Sequence, residues 1–210
     1  MTYVKICGVT SVEDALFAAE AGADAVGLNF VPASKRVIDL ATAAHISDAL
    51  GGAVELIAVV ANRSVLELEE LRAATGVDFL QLHGSESPDE LELLLPHAFK
   101  AFAIATAKDA ARAAEYGGSR LLVDAKVEGE LGGTGKRFDW SLAAPLAKQR
   151  DLIVAGGLTP DNVVSALQAL RPFGVDVASG VETAQNPRAK DPARVRAFIA
   201  AVRSFDGPQT

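Results

Sequence analysis

Sulfur is scarce in this chain. Its 210 residues include one cysteine, Cys7. A lone cysteine excludes an intrachain disulfide and fits a reducing, cytoplasmic compartment. Lysine and arginine form no block, and the formal net charge is −7. That disfavours nucleic acid as a partner, because phosphate backbones are held mainly by clustered cations. No uninterrupted apolar stretch approaches the ~20 residues that span a bilayer, so no membrane partner is expected. The first residues, MTYVKICGVTSVEDAL, meet charge early and lack the apolar centre of a signal peptide. Three dispersed histidines and one cysteine lack the spacing of a metal site. No local motif suggests a Ser-His-Asp arrangement. Asn62-Arg63-Ser64 matches a glycosylation sequon, which in a cytosolic chain is chance.

What is present is ordinary globular composition, 50% hydrophobic and 22% charged. The length suits one domain over residues 1–210, with a sizeable core. Short apolar runs alternate with longer amphipathic stretches rich in Ala, Leu and Glu. The runs at 3–6, 25–30, 56–60, 78–82, 99–103, 121–123, 152–155 and 176–178 predict buried parallel strands. Helices are predicted after Ser11 and over 40–50, 64–74, 88–95, 108–115, 139–148, 160–170 and 192–203. Ser11, Ser87, Thr159 and Asp191 stand at cap positions, and Pro88 follows Ser87 at the first helical position. Gly22-Ala-Asp, Gly76-Val-Asp, Gly117-Gly-Ser and Gly174-Val-Asp precede every second strand, as if each glycine ended a helix in the left-handed conformation.

Eight alternating strand–helix units imply an α/β fold, a single-domain (β/α)8 or TIM barrel. The alternative, an open doubly wound sheet, would want G-x-G-x-x-G after the first strand. Cys7-Gly8-Val9-Thr10 stands there instead. In a barrel the active site lies at the C-terminal strand ends. Lys5 and Cys7 share one face of the first strand, so Lys5 is expected to favour a Cys7 thiolate, fit as base or nucleophile. The plainer alternative is a small buried hydrophobe. Asp124 ends the sixth apolar strand, where burial would suit it to act as a general acid, unless it simply begins an Asx turn. A glycine-rich stretch, 126–137, reads as a lid over the ligand or as a surface loop. Gly156 and Gly157, opening a helix, and Ser179 and Gly180 follow the seventh and eighth strands, the usual phosphate position of this fold. Arg36, just beyond the second strand, could clamp a carboxylate or lie solvated on the surface. His83 ends the fourth strand and either lines the pocket or is structural.

These residues together resemble the phosphoribosylanthranilate isomerases of tryptophan biosynthesis. The resemblance rests on Lys5-Ile-Cys7-Gly8-Val-Thr10, Gly27-Leu-Asn-Phe30, Ser34-Lys-Arg36, Gln81-Leu-His83-Gly84, Asp124 with Gly132-Gly-Thr-Gly135-Lys-Arg-Phe138-Asp-Trp140, Ala155-Gly156-Gly157-Leu158 and Ser179-Gly180-Val181-Glu182. It implies a rearrangement of phosphoribosylanthranilate without a cofactor, by a monomer or homodimer. It makes Asp124 the general acid and Cys7 the general base. It gives Arg36 to the anthranilate carboxylate, His83 and Asp176 to substrate contacts, and Gly156, Gly157, Ser179 and Gly180 to the phosphate. The related histidine-pathway isomerases resemble this chain in fold and reaction but carry Asp where Cys7 stands. Indole-glycerol-phosphate synthases would carry an extension before the first strand. The segment 184–190 departs from the family pattern.

Overall fold

The computed structural model describes residues 1–124 and 142–207. The expected lid at 126–137, and the glycine-rich motif around it, lie outside the described residues. Eight parallel strands close on themselves in chain order. They are β1 (Tyr3–Cys7), β2 (Ala25–Asn29), β3 (Glu55–Val60), β4 (Phe79–Leu82), β5 (Ala98–Ala103), β6 (Arg120–Asp124), β7 (Asp151–Ala155) and β8 (Gly174–Val177). β1 pairs with both β2 and β8, which closes the barrel and excludes the open sheet. Helices α1 (Val12–Glu20), α2 (Leu40–Leu50), α3 (Val65–Thr75), α4 (Pro88–Leu94), α5 (Ala107–Ala114), α6 (Ala144–Ala147), α7 (Val163–Leu170) and α8 (Pro192–Asp206) return the chain between strands. Among the described residues no helix is long and apolar enough to cross a membrane.

The strands read as continuous apolar runs because both faces are covered. Outward residues such as Val4, Ile6, Val26 and Leu28 pack beneath the helices in the larger core. Inward residues form a second, smaller cluster: Tyr3, Ala25, Ile57, Phe99, Ala101, Leu122, Ile153 and Ala155. Alternation therefore puts Tyr3, Lys5 and Cys7 inside the barrel in three successive layers, with Cys7 at the C-terminal mouth.

The helix starts are set by capping chemistry. Ser64 and Ser87 form full capping boxes with Glu67 and Glu90. Ser11 accepts from the Asp14 backbone, but the Asp14 side chain instead accepts from the Lys190 backbone, so only half of that box forms. Asp191 caps α8 as expected. α7 begins later than its predicted start at 160. Thr159 does not cap it. Its backbone N–H donates to the Asn162 side chain, which also donates to the Gly157 carbonyl. That extra turn stiffens the loop after β7 before the helix starts.

The glycine repeat holds in part. Gly76 ends α3 with φ 69°, and Gly22 and Gly118 also have positive φ. Gly174 differs: it lies within β8, and Arg171 is the left-handed residue that ends α7. Asp24 and Asp78, from two copies of the repeat, accept backbone N–H bonds from Val4 and Leu56 on the neighbouring strands. The motif thus pins strand starts at the N-terminal end of the barrel.

Candidate active site

A cavity of about 540 Å3 opens at the C-terminal ends of the strands. Cys7, Arg36, His83, Asp124, Gly156, Gly157, Asp176 and Ser179 all line it, as do Asn29, Gln81 and Leu122. Residues from β1, β2, β4, β6, β7 and β8 thus meet around one space. Eight of the nine residues picked from the sequence border it, and Gly180 sits just behind.

Beneath the cavity lies a buried polar cluster. Lys5 is fully buried, and its Nζ donates to Gln81 Oε1 at 2.6 Å, Asp176 Oδ2 at 3.2 Å and Cys7 Sγ at 3.4 Å. All three of its N–H bonds are therefore spent. Burial works against its charge, but Asp176 and Cys7 outweigh that and hold its pKa above the ordinary lysine value. Asp176 is 8% exposed, and among the described residues its buried Oδ1 has no hydrogen-bond partner. A buried carboxylate oxygen without a donor is costly, so it is poised for a donor that enters the cavity.

Cys7 departs from expectation. Lys5 was expected to make the thiol more acidic. Burial, reinforced by the negative charge of Asp176, pushes its pKa up instead, against the opposing pull of Lys5 and Lys190. Lys5 is already neutralised by Asp176, so its field at the sulfur is diminished. The resting sulfur is a thiol.

Gln81 fixes the state of His83. Gln81 Oε1 accepts from Lys5, so Nε2 is the atom that faces His83 Nδ1, at 3.3 Å. The amide nitrogen donates, so Nδ1 accepts and the proton of the neutral ring sits on Nε2. Burial, then the nearby Lys100 and Lys5, depress the His83 pKa against the opposing pull of Asp124. At neutral pH the ring is an uncharged donor.

The two turns expected to hold phosphate lie against each other. A β-carbon on Gly180 would collide with the Leu158 carbonyl, so only glycine lets the turns after β7 and β8 approach so closely. Among the described residues, no group accepts from the backbone N–H of Gly156, Gly157, Ser179 or Gly180. Gly157 does not open α7 directly, because that helix starts only at Val163. The turn after β7 and the short 3-10 turn Ser179–Val181 therefore present backbone N–H groups without the helix start that was expected directly behind Gly157.

Sequence reading missed Gln81, Glu182 and Lys190 as site partners. Glu182 is 7% exposed and is bonded by Arg36 Nε, with Lys190 Nζ at 3.5 Å. Lys190 is also buried, and its Nζ reaches the Ala178 carbonyl at 3.3 Å. It ends the divergent 184–190 segment, and Glu182 and Lys190 pair across an antiparallel bridge. The available signal was that two charged residues flank a tight excursion. Among the described residues no group of three or more His, Cys, Asp or Glu side chains could hold a metal.

Residues 4–201 match the family described as N-(5′-phosphoribosyl)anthranilate (PRA) isomerase. The chain belongs to that family. A Pseudomonas fluorescens N-(5′-phosphoribosyl)anthranilate isomerase is 45% identical over 97% of this chain and 96% of its own. The crystal structure of the Thermotoga maritima isomerase superposes with a TM-score of 0.88 at 39% identity, over 97% of this chain and 100% of that one. A second isomerase structure holds reduced 1-(o-carboxyphenylamino)-1-deoxyribulose 5-phosphate. It superposes with a TM-score of 0.85 at 36% identity, over 97% of this chain and 100% of that one. The chain is an enzyme, an isomerase of tryptophan biosynthesis with a (β/α)8 barrel.

Proposed function

We propose that the chain converts N-(5′-phosphoribosyl)anthranilate to 1-(2-carboxyphenylamino)-1-deoxyribulose 5-phosphate by general acid–base catalysis with Asp124 and Cys7. Asp124 gives its proton to the furanose ring oxygen, and the ring opens to a Schiff base. Cys7, as thiolate, removes the proton from C2′. The enolamine that results tautomerises to the ketone. No electron leaves the substrate, so the reaction needs only one acid and one base with different proton affinities.

One observation carries this reading: Cys7 from β1 and Asp124 from β6 line the same cavity. The flanking groups suit the two charged ends of the substrate. Arg36 lies on the β2 side and meets the anthranilate carboxylate. Gly156, Gly157, Ser179 and Gly180, on the β7 and β8 side, offer backbone N–H groups to the phosphate. Asp176 Oδ1 accepts from a ribose hydroxyl, and neutral His83 donates from Nε2. The thiolate is the minor form that Lys5 and Lys190 sustain against burial. A cytoplasmic setting keeps that sulfur reduced. A relative from Thermotoga maritima is dimeric, which supports the homodimer over the monomer for this chain; sedimentation decides between them.

The test is a fluorescence assay on freshly generated phosphoribosylanthranilate. Cys7→Ser and Asp124→Asn should each lower kcat by ~10^2 to 10^4-fold, the usual share of a positioned acid or base. The melting temperature should stay close to the parent's. Parent-like turnover in either variant removes that residue from its role.

A further inference from the structure

Arg36 does not stand alone at the mouth of the cavity. Its Nε donates to Glu182 Oε1, and the Glu182 side chain is only 6% exposed. The side-chain stem of Arg36 lies over Gly8, which has φ 72° and no room for a β-carbon. Among the described residues, no other side chain or carbonyl accepts from the guanidinium. Glu182 is held in turn by Lys190 Nζ at 3.5 Å and Lys35 Nζ at 3.8 Å. Burial alone would raise the Glu182 pKa, but Arg36, Lys190 and Lys35 outweigh it and keep the carboxyl ionised.

A buried carboxylate beside the residue that meets an anionic substrate has two opposing effects. Its charge repels the incoming carboxylate and lowers the net positive field. Its hydrogen bond fixes a long, flexible side chain, and an arginine immobilised through Nε presents both terminal nitrogens in one plane as a fork. Arginine has many rotamers to lose, so holding it before substrate arrives removes that entropic cost from binding. The direction of the Nε bond, together with the stem packed over Gly8, favours orientation over repulsion.

We infer that Glu182 is a positioning residue, which aims the Arg36 guanidinium at the carboxylate of the aromatic half of the substrate and so sets selectivity for a carboxylated amine. This inference rests on the reading of Arg36 under the proposed function. Glu182 touches no substrate atom in this scheme; it acts through Arg36. Lys190 and Lys35 hold the carboxylate ionised and in place.

The experiment is a double-mutant cycle on the intact protein. The probes are two reduced product analogues, one with and one without the ortho-carboxylate, and their dissociation constants are measured by titration calorimetry. Glu182→Ala should weaken the carboxylated probe about tenfold, which is ~1.4 kcal/mol. The probe lacking the carboxylate should bind as it does to the parent. KM should rise more than kcat falls. In the Arg36→Met background, Glu182→Ala should add nothing further. Glu182→Gln, which keeps an acceptor for Nε and the same shape, should recover part of the loss; it also serves if Glu182→Ala folds poorly. Tighter binding of the carboxylated probe by Glu182→Ala means that repulsion dominates and overturns the inference. So do additive losses in the cycle, or equal losses for both probes. If Arg36→Met itself leaves carboxylated and uncarboxylated probes equally affected, the Arg36 reading falls instead.

Discussion

The two ends of the barrel handle buried charge in opposite ways. At the N-terminal floor, Arg120 crosses the interior to Glu55 at 2.8 Å, and Tyr3 donates to the same carboxylate at 2.6 Å. The rings of Tyr3, Phe79, Phe99 and Phe173 surround the guanidinium at 4.6–5.8 Å. Burial and the neighbouring carboxylate push the Tyr3 phenol well above its usual value, so it remains a donor. Every charge there has a partner, and the floor is closed. At the mouth, among the described residues, one carboxylate oxygen of Asp176 has none, burial and Asp176 push the Cys7 pKa up, and no group accepts from the backbone N–H groups of Gly156, Gly157, Ser179 and Gly180. The same strands supply both ends: Tyr3 and Cys7 on β1, Arg120 and Asp124 on β6. A barrel strand therefore carries stability at its first residues and chemistry at its last.

The largest break in this comparison should come from Gly180→Ala. The new methyl meets the Leu158 carbonyl, so the turns after β7 and β8 must separate. Forced overpacking costs ~1–3 kcal/mol, and under the proposed function it should fall on phosphate binding. KM should rise about 10- to 100-fold while the melting temperature drops only modestly. An unchanged KM would mean that the two turns do not act together on the phosphate.

The converse variant is Arg120→Met. It removes the floor's cation from four rings and leaves Glu55 with Tyr3 alone. Glu55 is about a third exposed, so solvent screens part of the ion pair, and the ring contacts carry most of the loss. We expect ~2 kcal/mol of stability lost by urea denaturation, with kcat and KM close to the parent's. A large fall in kcat with intact stability would show that floor and mouth are not independent.

The sequence made much of this division legible. Eight apolar runs separated by capped helices imply the barrel, and residues one or two places past each run point to the mouth. Strand alternation placed Cys7 there and the end of the sixth run placed Asp124, whereas Asp176 came only from the family resemblance, because its strand runs Gly174–Val177 rather than 176–178. What stayed hidden depended on contacts across the barrel. Gln81 reads as a polar residue within a strand, and only its bonds to Lys5 and His83 show that it sets the ring's tautomer. Lys190 and Glu182 are far from Arg36 in sequence. No periodicity reports that the excursion between them folds back on the mouth. The Thr159 cap was misread because the chain inserts one more turn, held by Asn162, before α7. The sign of the Cys7 shift depends on a balance of burial, Asp176 and Lys5 that no linear spacing encodes.

That balance gives the smallest expected effect and the finest probe of the mouth. Cys7 is a thiol at rest because burial and Asp176 outweigh Lys5 and Lys190. The rate of alkylation by iodoacetamide follows the thiolate, so it should still be climbing at a pH where an ordinary cysteine, near ~8.5, has levelled off. Lys5→Met removes the nearest cation and leaves Asp176 unbalanced, so the midpoint should move further toward alkaline pH. The sign for stability follows from the same shift. A thiol whose pKa is raised on folding keeps its proton longer than in the unfolded chain. Its contribution is flat below the unfolded value and turns against the folded state as pH rises beyond it. Parent stability should therefore begin to fall above the unfolded thiol value, and by less in Cys7→Ser, which has no such group. A Cys7 midpoint at or below that of a free thiol would reverse the balance, and would make Lys5, rather than burial, the dominant influence on the sulfur.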